Sequence, residues 1–198
     1  MNADRRAFPV AAVLVFASLA GGAKFSVRSS DSAPGTQETI TRVSLVALLA
    51  PGCGCNSMPA FPKTLETIRR EIRRRALAAG ARYAAVGVVL SGDVASGVNY
   101  LVNGVTETGA RVEFSPWDEV HAGDSWRNEA MLSLVWSERL VDAAFPQLVL
   151  IERQLERSSG HIRVVSTRQT LKLLGTAAFE QWVAGGMVLP DSSALASR

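Results

Sequence analysis

Cys53 and Cys55 are the only two cysteines of the chain, and a single glycine, Gly54, separates them. Two thiols this close can trade electrons by disulfide exchange. That chemistry needs an attacking thiolate, a second thiol to resolve the mixed disulfide, and a backbone surface for the partner chain. The same pair can also hold a soft ion such as Cu(I), which accepts two thiolates. The local string Ala50-Pro51-Gly52-Cys53-Gly54-Cys55-Asn56-Ser57 follows the apolar run Arg42 to Leu49 and precedes a strongly helical one, Lys63 to Ala79. The pair is therefore expected on a turn between a buried strand and a helix N-terminus, where backbone N–H groups and the helix dipole favour the thiolate.

Three uses of the pair stay open on the residues alone: redox chemistry, soft-metal binding, or none. An inert staple between such close neighbours would barely constrain the unfolded chain. A zinc site lacks further ligands nearby, since His121 and His161 are distant in sequence and read as ordinary surface or strand residues. Met58 is the nearest additional soft donor and reads as a packing residue. Asp118, Glu119 and Asp124, near Trp117 and Trp126, read as a solvated loop, while Trp126, Trp136 and Trp182 read as core or rim. No glycine-rich phosphate loop and no serine-centred nucleophile motif occurs.

The elements that must position the pair follow from hydrophobic pattern. With 198 residues, 47% hydrophobic and 20% charged, the chain can build one domain with a real core and little more. Thr39 to Leu49 reads as a central strand, broken by Pro51-Gly52. The next helix carries Leu65, Ile68, Ile72 and Ala76 as one apolar stripe and stops near Gly80. Tyr83 to Leu90 is a second continuous apolar strand, completing a β-α-β unit with parallel neighbours. Ser91-Gly92-Asp93 opens a second helix, with Ser91 or Asp93 as cap and Val94, Val98, Leu101 and Val102 on its apolar side. Arg111 to Phe114 reads as a short strand, Trp126 to Leu140 as a helix, and Trp117 to Asp124 gives no clear pattern. Gln147–Ile151 and His161–Val165 form a hairpin around Ser158-Ser159-Gly160. A last helix is expected from Arg168 to Ala184, with Leu171, Leu174, Ala178 and Trp182 inward and Gly185-Gly186 as its stop. The expected order is β-α-β-α-β-α-β-β-α.

The basic residues concentrate in Arg69-Arg70-Glu71-Ile72-Arg73-Arg74-Arg75, while the formal net charge is only +3. The rest of the chain is charge-balanced, so the run reads as a solvated helix face and no nucleic-acid partner is expected; docking to an acidic partner or anionic lipid is the other reading of that face. At the N-terminus, Asp4-Arg5-Arg6 leads into an apolar stretch from Ala7 to Ala23 that ends in small residues. This is the pattern of a secretory signal peptide, slightly short for a membrane span of about 20 residues but able to serve as an uncleaved anchor. The layout is then a signal or anchor over 1–23, a flexible linker over 24–38, a domain over 39–186 and a tail over 187–198. Export places the thiols where a disulfide persists.

The order of elements, with a cysteine pair after the first core strand and an X-Pro before the hairpin, resembles the thioredoxin-like α/β fold, a central mixed sheet flanked by helices. It looks most like exported, membrane-tethered thiol-disulfide interchange proteins and related redoxins. Ala50-Pro51-Gly52-Cys53-Gly54 resembles that family's Ala-Pro-Trp-Cys-Gly. Val86-Gly87-Val88-Val89-Leu90-Ser91-Gly92-Asp93 is similar to its second core strand and turn. Phe145-Pro146-Gln147-Leu148-Val149-Leu150-Ile151 resembles its cis-proline loop and hairpin. The resemblance implies a thiol-disulfide oxidoreductase of the cell envelope acting on protein thiols without a cofactor. It makes Cys53 the attacker and Cys55 the resolving thiol, with Phe145 and Pro146 receiving the substrate chain. Asn56 stands where the family has its second cysteine, and Gly52 where it has tryptophan. A disulfide across one residue closes a small, strained ring that Gly54 tolerates, and such strain favours an oxidant or isomerase-like couple. The alternative is a non-enzymatic module of the same fold for copper handling or protein binding.

Overall fold

The computed structural model describes residues 38–52, 60–106, 109, 111–123, 145–158, 161–191 and 193–195. All of them belong to one compact unit, Gly35–Arg198. The leader expected over 1–23, most of the linker, Cys53 and Cys55 themselves, and the helix expected from Trp126 to Leu140 lie outside the described residues. Among the described residues no helix is long and apolar enough to cross a membrane.

Five strands form one mixed sheet in the order β3-β2-β1-β4-β5. Strand β1 (Glu38–Leu49) pairs in parallel with β2 (Arg82–Leu90) and antiparallel with β4 (Gln147–Ser158). Its unbroken apolar stretch Leu45–Leu49 is buried on both faces, as a central strand with neighbours on either side requires. Helix α1 (Ala60–Ala78) crosses between the parallel strands, and α2 (Val94–Asn103) links β2 to the edge strand β3 (Glu119–Gly123). Strand β4 turns into β5 (His161–Leu174), the other edge, which leads into α3 (Gly175–Ala184). This is the expected α/β arrangement of a central mixed sheet with flanking helices.

Alternation along the strands sorts the core into two clusters. Val43, Leu45, Ala47 and Leu49 of β1 face Leu65, Ile68 and Ile72 of α1, Tyr100 and Leu101 of α2, and Phe179 of α3. Val46 and Leu48 point the other way, with Ala84, Val86 and Val88 of β2 and Val149 and Ile151 of β4. The expected stripe of α1, Leu65, Ile68, Ile72 and Ala76, is fully buried.

Several sequence expectations change. The segment Arg111–Phe114 forms no strand; it contributes one isolated bridge, Val105 to Arg111. The third strand is instead Glu119–Gly123, inside the stretch with no clear pattern, where it gains a parallel ladder with β2. Asp118 is no idle loop residue, because its carboxylate accepts the Ala85 N–H at 2.7 Å, and Glu119 pairs with Arg42 of β1. The last helix does not start at Arg168. Residues Arg168–Leu174 pair with β4, and the helix begins at Gly175, leaving Phe179 as its buried residue and Trp182 half-buried. On α2, Val94, Val98 and Val102 are exposed, and the buried residues are Gly97, Tyr100 and Leu101.

The chain beyond Gly186 is not a loose tail over its described residues. Leu189 and Leu195 are buried in the core, and Glu152 of β4, itself buried, accepts hydrogen bonds from the Ser193 hydroxyl and the Ala194 N–H. The arginine run is also less solvated than expected. Arg69 is buried and donates to the carbonyls of Ser115 and Pro116 while its guanidinium lies 4.5 Å from the Trp117 ring centre. Arg75 reaches the Met187 carbonyl at 2.8 Å. Arg70, Arg73 and Arg74 keep the exposed face.

Two helix ends yield direct tests. Gly104 closes α2 at φ +67, and a Cβ there would stand 1.8 Å from the Val112 carbonyl oxygen, whereas at Gly80 (φ +71) nothing lies within 4 Å. Gly80→Ala should cost only left-handed strain, about 1–2 kcal/mol. Gly104→Ala should cost clearly more, above about 3 kcal/mol, in urea unfolding; equal losses would show that the approach to Val112 is not tight in solution. Asp93 caps α2 by accepting from the Ser96 hydroxyl and from the Ser96 and Ala95 N–H groups, which hold its carboxyl below its ordinary 3.8. A carboxyl lowered on folding stabilises above its unfolded value and loses that contribution as pH falls through the folded one. Asp93→Ala should therefore lower the urea midpoint at neutral pH, and the gap to the parent should close on acidification below about pH 4.

Candidate functional site

The parallel strands β1, β2 and β3 all end on one side of the sheet, the side where ligands and reactive loops of α/β proteins gather. Chain leaves β1 there through Ala50-Pro51-Gly52, with Pro51 buried and Gly52 exposed. Cys53 is the next residue and lies outside the described ones, as do Gly54 and Cys55. Both ends of the stretch 53–59 are nevertheless fixed. Leu49 is fully buried on one side, and Phe61, in the first turn of α1, is 1% exposed on the other. The Phe61 ring packs 6.1 Å from Phe179 of α3 and 6.4 Å, edge-on, from Phe114. The hydrophobic effect on one aromatic thus sets where α1 starts relative to α3.

Because β4 runs antiparallel to β1, it begins on the same side. Leu48 pairs with Gln147, so the turn after Leu49 and the Phe145-Pro146 segment are neighbours across the β1–β4 ladder. The Phe145–Pro146 bond is cis. Pro146 is buried, Phe145 half-buried against the Val46–Leu48 cluster. The Gly175 N–H, at the start of α3, donates to the Pro146 carbonyl at 2.7 Å. Gly175 takes φ +77, a backbone that β-branched or bulky residues avoid. This clamp on Pro146 was not read from the sequence; the signal for it was a glycine between Leu174 and Thr176, in a stretch read as helix interior.

Beside them, Ser91 follows β2 and is buried, its hydroxyl donating to the Asp93 carbonyl at 2.8 Å and its N–H to Gly123 at the end of β3. The loops after β2 and β3 are therefore tied to each other. The two histidines do not join the site. His121 sits on β3 with its ring 4.0 Å from Glu119, and His161 opens β5, at the opposite edge of the sheet. Of the residues expected to act, the structure describes Phe145 and Pro146 on the side where the chain enters Cys53; Cys55 and Met58 lie outside the described residues.

No family model matches the chain, and no curated protein matches it. Among solved structures, one from Chlorobium tepidum, assigned as thiol:disulfide interchange protein DsbE, is similar at a TM-score of 0.34 and 14% identity, over 78% of this chain and 80% of that one.

Proposed function

We propose that this chain is a thiol-disulfide oxidoreductase acting on protein thiols, with Cys53 and Cys55 as its redox pair and Phe145-Pro146 as the surface that receives the substrate chain. One observation carries the reading. The chain runs into Cys53-Gly54-Cys55 directly from Gly52, and the β1–β4 register makes the end of β1 a neighbour of Phe145-Pro146.

The exchange follows from the parts. A substrate thiolate attacks the Cys53 sulfur of the Cys53–Cys55 disulfide; that bond breaks, and Cys55 leaves as thiolate. A second substrate thiolate then attacks the substrate sulfur of the mixed disulfide, forming the substrate disulfide and releasing Cys53 as thiolate. The substrate loses two electrons, the pair gains them, and the two thiol protons pass to the leaving thiolates or to solvent. The strain of a one-residue ring favours this oxidising direction. The leader over 1–23 would deliver the domain to the cell envelope, cleaved or retained as an anchor.

Reduced Cys55→Ser protein offered disulfide-bonded partner proteins should accumulate mixed disulfides, the Cys53 thiolate attacking the partner disulfide and one partner thiolate leaving, all released by added reductant, whereas Cys53→Ser should not. Tight Cu(I) binding by the parent without trapping by Cys55→Ser would replace exchange with copper handling. A reduction potential below about −300 mV, typical of structural disulfides, would overturn the oxidising direction.

A further inference from the structure

A second cleft lies toward the opposite end of β2, where the strand starts at Arg82, and it has a pattern of its own. Its volume is about 380 Å³, within the range of small-molecule pockets. Helix α1 forms one wall and the chain just before β3 the other. The Tyr83 hydroxyl and Glu66 Oε2 are both buried in it without a hydrogen-bond partner. Buried polar atoms left in this state are uncommon and point to a missing partner. Glu66 Oε2 and Arg69 form a loose ion pair at 4.0 Å, too long for a hydrogen bond, and Arg69 spends its donors on the Ser115 and Pro116 carbonyls. Asp118 spends one carboxylate oxygen on the Ala85 N–H.

Further out on the same wall, Arg70 and Arg73 are exposed and, among the described residues, make no ion pair or hydrogen bond. They stand one helical turn apart, close enough for both to meet one oxyanion. Inside are a carboxylate oxygen and a hydroxyl that call for a group with several donors, such as a primary ammonium. Burial pushes the Tyr83 phenol up to about 12, opposed by the nearby Arg69 guanidinium through its charge and a contact short of normal hydrogen-bond geometry, so the hydroxyl stays protonated. An anion alone would satisfy the arginines but face Glu66 and Asp118; a cation alone would leave the arginines idle.

We infer that this cleft binds a small zwitterion, its ammonium between Glu66 Oε2 and the Tyr83 hydroxyl and its oxyanion on Arg70 and Arg73. The cleft lies toward the start of β2 and does not depend on the redox reading. The oxyanion can be a carboxylate or a phosphate, so two probes separate the sources: β-alanine and O-phosphoethanolamine, titrated calorimetrically into the full chain against ethylamine and inorganic phosphate. At least one zwitterion should bind about tenfold more tightly than either single-charge control, and the Arg70→Ala/Arg73→Ala double variant should lose about tenfold of that affinity. Both arginines are exposed, so the variant should fold as the parent does, checked by its circular dichroism and urea midpoint. Tyr83→Phe should weaken binding with the fold intact. Inorganic phosphate binding as tightly as the zwitterions, no heat from either zwitterion at millimolar concentration, or unchanged affinity in the double variant would overturn the inference.

Discussion

Strand β1 is the constraint on which the rest of the domain depends. Among the described strands it is the one paired in parallel on one edge and antiparallel on the other, and its side chains feed both core clusters. Side-chain period two fixes this arrangement, because a one-residue slip would turn Leu45, Ala47 and Leu49 to the wrong face. Such a slip would also separate Leu48 from Gln147, and with it the Ala50-Pro51-Gly52 exit of β1 from the segment that precedes β4. Packing register thus also decides which chain ends meet on that side of the sheet.

Helix α1 divides its basic residues between two kinds of work. Arg69 is held by two carbonyls and an indole face, a neutral but electron-rich nest that suits a guanidinium better than an ammonium. It ties the helix to the chain entering β3. Arg75 performs a similar task toward Met187. Glu71 lies between Arg74 and Arg75, and the Arg74 hydrogen bond foremost, with Arg75, holds its carboxyl down to about 2 against the cost of burial. One amphipathic helix thus anchors two otherwise irregular stretches, 115–118 and the chain at Met187, through single long side chains.

The strands and helices with strong local pattern were legible in the sequence: β1, the stripe of α1, β2, the Asp93 cap and the first half of the hairpin. The pieces that were not legible are those decided by distant partners. Glu119–Gly123 is five residues with two polar side chains, and only its ladder with β2 and the Arg42 pairing make it a strand. Leu171 and Leu174 fall at helical steps with Ala178 and Trp182, yet their backbone groups pair with β4, so the ladder overrides the period. Val94, Val98 and Val102 are just as periodic and still lie outside, since Tyr100 and Leu101 turn the helix inward. At the candidate site, the resemblance pointed to Phe145-Pro146 as a cis-proline link, while the Gly175 clamp left only a glycine as its mark and the long-range Phe61–Phe179 contact left none.

Strand β5 has a consequence for how the protein behaves in a crowd. It is fourteen residues long, lies at an open edge and exposes Ile162, Val164 and Val165, the kind of strand onto which a second chain readily adds. Its charges are all of one sign, Arg163, Arg168 and Lys172, with no acidic residue from His161 to Leu174. Two register shifts against β4 interrupt its regularity. A copy approaching edge to edge meets like charge and a mismatched twist, so the same strand that completes the sheet also discourages its polymerisation.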